Sequence, residues 1–141
     1  MISAIPLEIV LIEDGGCHIF LKCELEKGVI AELILDTGAS KTVYDFKMFE
    51  PFLTDVKDNE SIESSGISEA NLSSKSGLIS KMKFGDLLLE NETIILMDLG
   101  HINNLYKRID KRKIWGLLGG DFLLRFKVNI DYSNKLLIIN H

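Results

Sequence analysis

Val29-Ile30-Ala31-Glu32-Leu33-Ile34-Leu35 runs straight into Asp36-Thr37-Gly38-Ala39-Ser40. Seven residues with one charge among them read as a β-strand buried on both faces. A carboxylate at the end of such a strand is costly unless something uses it. Gly38 permits a tight turn and the close approach of another backbone. Thr37 supplies a hydroxyl that can tie the turn to a neighbouring chain. Asp36 is therefore the candidate catalytic residue, with Thr37, Gly38 and Ala39 as the loop that supports it.

Working outward from that corner, the pattern is mostly strand. Pro6 to Glu13 is a short apolar run, Asp14-Gly15-Gly16 is turn chemistry, and Cys17 to Glu26 alternates as a second strand, which together predict a hairpin. Lys27-Gly28 turns the chain into the strand quoted above. Beyond it, Asp45 to Leu53 predicts a short helix closed off around Pro51. Residues 61–77 then hold seven serines and two glycines, the composition of a flexible linker or surface hairpin. Strand signals resume at Leu78 to Phe84, at Leu87 to Leu89 after the turn Gly85-Asp86, and at Thr93 to Asp98. Gly100 to Lys113 is polar and basic, with room for one or two helical turns. Leu117-Leu118-Gly119-Gly120-Asp121 leads into the short helical spacing of Phe122 to Phe126. Val128 to Asp131 and Lys135 to Asn140 form a last hairpin around Ser133-Asn134. No internal repeat of solenoid period is present.

Composition narrows the function classes. The 141 residues, 46% hydrophobic, predict one domain over residues 1–141 with a sizeable core, and an enzyme built of two similar lobes does not fit. A net charge of -5 argues against nucleic-acid binding, which uses a basic face to displace counterions. No apolar run is long enough for a transmembrane helix, so no membrane partner is expected. The first residues lack the basic start and apolar stretch of a secretory signal, which favours a cytoplasmic location. Cys17 and Cys23 lie six apart in an extended segment, about 20 Å along one face, and are expected to be two small buried thiols without a disulfide. His18, His101 and His141 are scattered and there is no Cys-x-x-Cys, so no metal site is read. Lys107, Arg108, Lys111, Arg112 and Lys113 read as a solvated basic loop. Asp98-Leu99-Gly100 follows an apolar run much as Asp36-Thr37-Gly38 does, but it lacks the hydroxyl residue and reads as a strand end.

An Asp-Thr/Ser-Gly triplet alone is weak evidence, arising by chance in about one in twenty chains of this size. Here Leu35-Asp36-Thr37-Gly38-Ala39-Ser40-Lys41-Thr42 is followed, about eighty residues on, by Leu117-Leu118-Gly119-Gly120-Asp121-Phe122-Leu123. The two motifs in this order resemble the retropepsin-like aspartic proteases, and the order of elements from about residue 17 to 139 fits as well. The resemblance implies a mostly β, single-lobed acid-protease barrel with one short C-terminal helix, active as a two-fold homodimer. It implies an aspartic endopeptidase acting on polypeptides, with no cofactor, in which two Asp36 carboxylates share one proton and activate a water. Thr37 would bond across the subunits, and Gly38 would offer its backbone to substrate. Ala39 stands where two-lobed relatives carry a hydroxyl, so the pair should favour milder acidity. A flap hairpin is implied over about 58–77, with Ser65, Gly66 and Ile67 at its tip. Leu118, Gly119 and Asp121 form the structural motif, Asp121 as a helix N-cap or loop tether. Retroviral members interleave their terminal strands; here Pro6 to Ile12 and Leu136 to Ile139 could do so or complete each chain's own sheet. The competing reading is a non-enzymatic peptide-binding or dimerisation module on the same fold.

Overall fold

Alternating burial along the strands decides how they stack. The structure, a computed structural model, describes residues 1–59 and 73–141. In β1 (Ile2–Pro6), Ser3 and Ile5 point inward and their neighbours outward. β2 (Glu8–Leu11) and β3 (Cys17–Leu25) form the hairpin expected around residues 14–16, with Leu11 opposite Cys17. β4 (Ile30–Leu35) pairs antiparallel with β3, and its last three residues are buried, as a doubly covered strand requires. After β5 (Val43–Asp45) come a single helical turn, α1 (Phe46–Phe49), and a 3-10 turn through Pro51.

β6 (Leu53–Asp58) and β7 (Lys75–Phe84) pair antiparallel across a bulge between Thr54 and Lys57. Their arms continue one step further, where Asn59 N–H donates to the Ser74 carbonyl at 3.0 Å. Ser65, Gly66 and Ile67 lie outside the described residues. β8 (Leu87–Met97) returns along β7 as one strand, where two pieces were expected. Its polar middle, Glu90 to Glu92, stays in register while Asn91 takes a φ of 53°. β9 (Gly116–Leu118), α3 (Gly120–Arg125), β10 (Asn129–Asp131) and β11 (Leu136–Asn140) complete the chain.

Eight strands form one sheet in the order β2-β3-β4-β9-β5-β8-β7-β6, and β3 also pairs with β7, which closes it into a barrel. Its interior is filled by Leu21, Leu33, Phe49, Phe84, Leu96 and Leu118, all essentially inaccessible. Phe84, Phe122 and Phe126 dock α3 against this core, with successive ring centroids 4.7 Å apart. Such packing contributes about 1.5–3 kcal/mol for each fully buried large side chain. The two ends of the described fold pair with each other, and the segment from Glu8 to Leu11 pairs with β3. β1 and β10 flank β11 in a three-stranded sheet made by this chain alone.

Three expectations need correction. The segment from Gly100 is a three-turn helix, α2 (Gly100–Asp110), so α3 is one of three short helices among the described residues. α2 buries Tyr106, which joins Phe20, Ile34 and Ile114 in a second apolar cluster outside the barrel. That burial, with Ile102 beside it, stabilises a segment whose overall polarity concealed it. The basic stretch is only partly solvated. Arg112 is half-buried, lies 4.5 Å over the Phe20 ring, and is ion-paired to Glu8 and Glu32. Cys23 is buried as expected, but Cys17 is exposed; both are free thiols.

Candidate active site

Asp36 follows the last residue of β4 and caps its own turn. Its backbone N–H donates to the Leu118 carbonyl at 3.0 Å, extending the parallel pairing of β4 with β9 by one residue. Its carbonyl accepts from Ala39 N–H at 3.1 Å, and carboxylate Oδ1 accepts from Gly38 N–H at 3.0 Å. A Cβ on Gly38 would stand 3.3 Å from that same oxygen, a tight contact relieved only by moving the carboxylate from this position. Asp36 is half-buried, while Thr37 and Gly38 are exposed. The corner is thus anchored on its inner side and open on its outer side.

The anchor is the second motif. Gly120 N–H donates to the Ala39 carbonyl at 2.7 Å, and Asp121 N–H to the Ser40 carbonyl at 3.3 Å. Gly119 lies so close beneath the loop that a Cβ there would come within 2.8 Å of Ala39 O and of Lys41 C and O. Asp121 Oδ1 accepts three hydrogen bonds: from Thr42 N–H at 2.8 Å, Thr42 Oγ1 at 2.7 Å and Phe122 N–H at 2.8 Å. It therefore ties the loop; the N-cap of α3 is Gly119, and Asp121 sits within the helix's first turn, where it accepts from the next N–H. Thr42 Oγ1 in turn accepts from Gly119 N–H at 2.9 Å. Leu118 is buried in the barrel core. Two motifs far apart in the chain become one braced structure.

Thr42 belongs to the first motif, but the sequence alone assigns it no role. Its one signal is a hydroxyl six residues after the aspartate, on the far side of the turn. Asp45 carries no such signal. Its buried carboxylate accepts from Leu99 N–H at 2.8 Å and from Met48 N–H at 3.1 Å, capping α1 while holding the turn after β8. In that turn Asp98 Oδ1 accepts from Gly100 N–H at 2.8 Å, as Asp36 does from Gly38. Leu99, in the place of Thr37, is buried, while Asp98 and Gly100 on either side of it are exposed.

α2 packs against the outer side of the strand that leads to Asp36. Tyr106 packs in the same cluster as Ile34, two residues before Asp36, and its hydroxyl is 2.9 Å from His18 Nδ1. Burial pushes the Tyr106 phenol up, and the charge of Asp36 adds to that rise. A groove of about 350 Å³ lies elsewhere, between β1 and the outer faces of β3 and β4, and Asp36 is not among its lining residues. In a single chain the Asp36 corner is anchored on its inner side, and Thr37 and Gly38 on its outer side are exposed.

No family model matches the chain, and no curated protein matches it significantly. Solved structures do resemble it. A retropepsin-like aspartic protease from Rickettsia conorii aligns with 99% of this chain over 91% of its own, at 18% identity and a TM-score of 0.57. The retroviral protease-like domain of Ddi1 from Leishmania major aligns with 86% of this chain over 87% of its own, at 13% identity and a TM-score of 0.54. At these identities the likeness speaks for the fold, and the fold is retropepsin-like.

Proposed function

We propose that this chain is one half of an aspartic endopeptidase, completed when a second copy presents its own Asp36 across a two-fold axis. The observation that carries the reading is the Asp36-Thr37-Gly38 corner, braced from within by Gly119 to Asp121 and left exposed on its other side. Two carboxylates brought together cannot both ionise comfortably, so the pair holds one proton between them. The ionised partner takes a proton from water as the water attacks the scissile carbonyl. The protonated partner donates to the carbonyl oxygen. The two copies titrate as one unit. Thr37, exposed in the single chain, would bond across the axis. The β6–β7 arms border an extended substrate, whose backbone can pair as an added strand.

The experiment is hydrolysis of a mixed peptide library at about pH 4–6, where a carboxylate pair of this kind works, over a dilution series of the protein. Cleavage should be blocked by a statine-type transition-state mimic, and specific activity should fall on dilution as dimers separate. Peptide binding with no cleavage at any pH would assign the chain to the binding-module class instead. Full activity in a strictly monomeric protein would overturn the shared site.

A further inference from the structure

We propose that the pocket between α3 and the barrel binds a small neutral ring compound carrying a hydroxyl, which accepts a hydrogen bond from Tyr44. The pocket measures about 170 Å³ and does not include Asp36. Met82 from β7, Leu89 and Ile94 from β8, and Phe122 from α3 are buried and give it apolar walls. An apolar cavity of about 150 Å³ stays dry and admits a benzene-sized molecule, so the space suits a single ring.

Tyr44 sets this pocket apart from a gap in packing. Its side chain is only 4% exposed, and its hydroxyl bonds to no atom among the described residues. Every side-chain nitrogen or oxygen sealed from solvent among those residues does have a partner. The Tyr44 hydroxyl is therefore not sealed; it reaches open space, and the pocket is the space that Tyr44 lines. The ring is not free to turn elsewhere. Tyr44 lies opposite Gly116 on β9, where a Cβ would come within 2.8 Å of Tyr44 Cδ1, so the ring fills the room a side chain would take. On its other contact it packs against Phe49, with centroids 4.7 Å apart. A fixed, buried donor without a partner is costly, and a ligand that supplies the acceptor removes that cost.

The charges around the pocket select a neutral ligand. Glu92 accepts from Arg125 at 2.7 and 3.0 Å, and Asp121 Oδ1 accepts from Thr42 and from Phe122 N–H. A ligand anion would meet two carboxylates, and a ligand cation would find both already engaged; a neutral molecule avoids either desolvation cost. Burial pushes the Tyr44 phenol well above its ordinary value, and the charges of Cys23, Asp121 and Glu92 add to the rise. Its O–H is thus kept as a donor, and the ligand must bring the acceptor. Entry is not barred by the Arg125–Glu92 pair, whose side chains are 55% and 23% exposed, because surface pairs of this kind are weak. Thr42 and Asp121, which brace the Asp36 loop, also line the pocket and should report its occupancy.

Phenol is the probe, and toluene, the same ring with a methyl in place of the hydroxyl, is its control. Titrated into the full chain, phenol should give saturable amide NMR shifts at Thr42, Tyr44, Ile94 and Phe122, with a Kd of about 1 mM or below. Toluene should bind at least about five-fold more weakly, the worth of one hydrogen bond to a donor otherwise unmet. Tyr44→Phe keeps the ring and should erase or invert that preference while toluene still binds. Leu89→Trp fills the space and should abolish binding of both; if that variant does not fold, the Tyr44→Phe comparison decides alone. Phenol affinity equal in the parent and Tyr44→Phe would overturn the proposal. Shifts scattered over the surface without saturation would mark phenol as an adventitious additive only and overturn it too. None of these measurements involves peptide hydrolysis, so their outcome is independent of the function proposed above.

Discussion

The eight-stranded sheet reads as two halves placed head to tail. β2, β3, β4 and β5 occupy positions mirrored by β6, β7, β8 and β9, and each half ends its third strand in Asp-x-Gly. Each aspartate accepts from the glycine N–H two residues on. Each corner is held by a carboxylate from the opposite half at the start of a short helix: Asp121, in the first turn of α3, for the loop after Asp36, and Asp45, the N-cap of α1, for the turn after Asp98. The difference lies in the middle residue and in the path of the chain beyond the glycine. Thr37 is exposed and the chain turns back on itself; Leu99 is buried and the chain runs into α2. The same local hydrogen bonds thus leave a hydroxyl residue exposed at the middle of one corner and bury an apolar one at the middle of the other. Corner geometry alone does not make a site; what the middle residue offers differs.

The largest test of that contrast exchanges each carboxylate for an amide. Asp36→Asn should cut peptide hydrolysis by at least about 10³-fold, the scale of lost acid–base chemistry. Asp98→Asn keeps the oxygen that accepts from Gly100 N–H and should change the rate by less than about two-fold, as exposed substitutions do. Equal losses would break the distinction between the corners. A smaller effect separates their supports. Gly119→Ala puts a methyl against three backbone atoms of the Asp36 loop and should cost about 3 kcal/mol in urea unfolding. Gly100→Ala meets only the Asp98 carboxylate, which can swing away, and should cost less than about 0.5 kcal/mol.

The smallest effect concerns what the halves bury. The first half encloses Cys23, whose thiol burial pushes up to about 12 from 9.0, and Tyr44, which burial raises well above its ordinary value. The corresponding interior of the second half is lined by Ile79, Met82, Phe84, Ile94 and Leu96. A folded-state value above the unfolded one means stability is intact below pH 9.0 and drains as pH climbs towards about 12. Urea midpoints at pH 8 and pH 10 should therefore differ, and Cys23→Ala should remove most of that difference. An unchanged slope in the variant would place the alkaline sensitivity elsewhere.

Much of the barrel was legible because its signals are local. Alternation and turn residues located β3, β4, β7 and the final hairpin, and the apolar run into Asp36 marked the corner. What stayed hidden depends on distant partners. Thr42 meets Asp121 across 79 residues, and Asp45 meets Leu99 across 54; no periodicity reports such a bond. α2 was underestimated because only one side of it is covered, and Tyr106 there is buried by residues from β3 and β4. Cys17 and Cys23 do share strand parity, but β3 begins at the exposed hairpin end, so parity did not translate into equal burial. Arg112 looked solvated until Glu8 and Glu32 arrived from other strands.

The three-stranded sheet of β1, β11 and β10 has a consequence for how the chain comes to be folded. Ile2 lies opposite Asn140, and Met1 and His141 exchange backbone hydrogen bonds, so β1 is paired by a strand that follows all those of the barrel. During synthesis β1 has no β11 to join until the barrel strands between them have been made. Closing so long a loop is entropically costly before any contact rewards it, and folds rich in such pairings form slowly. The barrel strands can assemble beforehand; the β1–β11 seam is fastened after them and brings Ile2 beside Asn140.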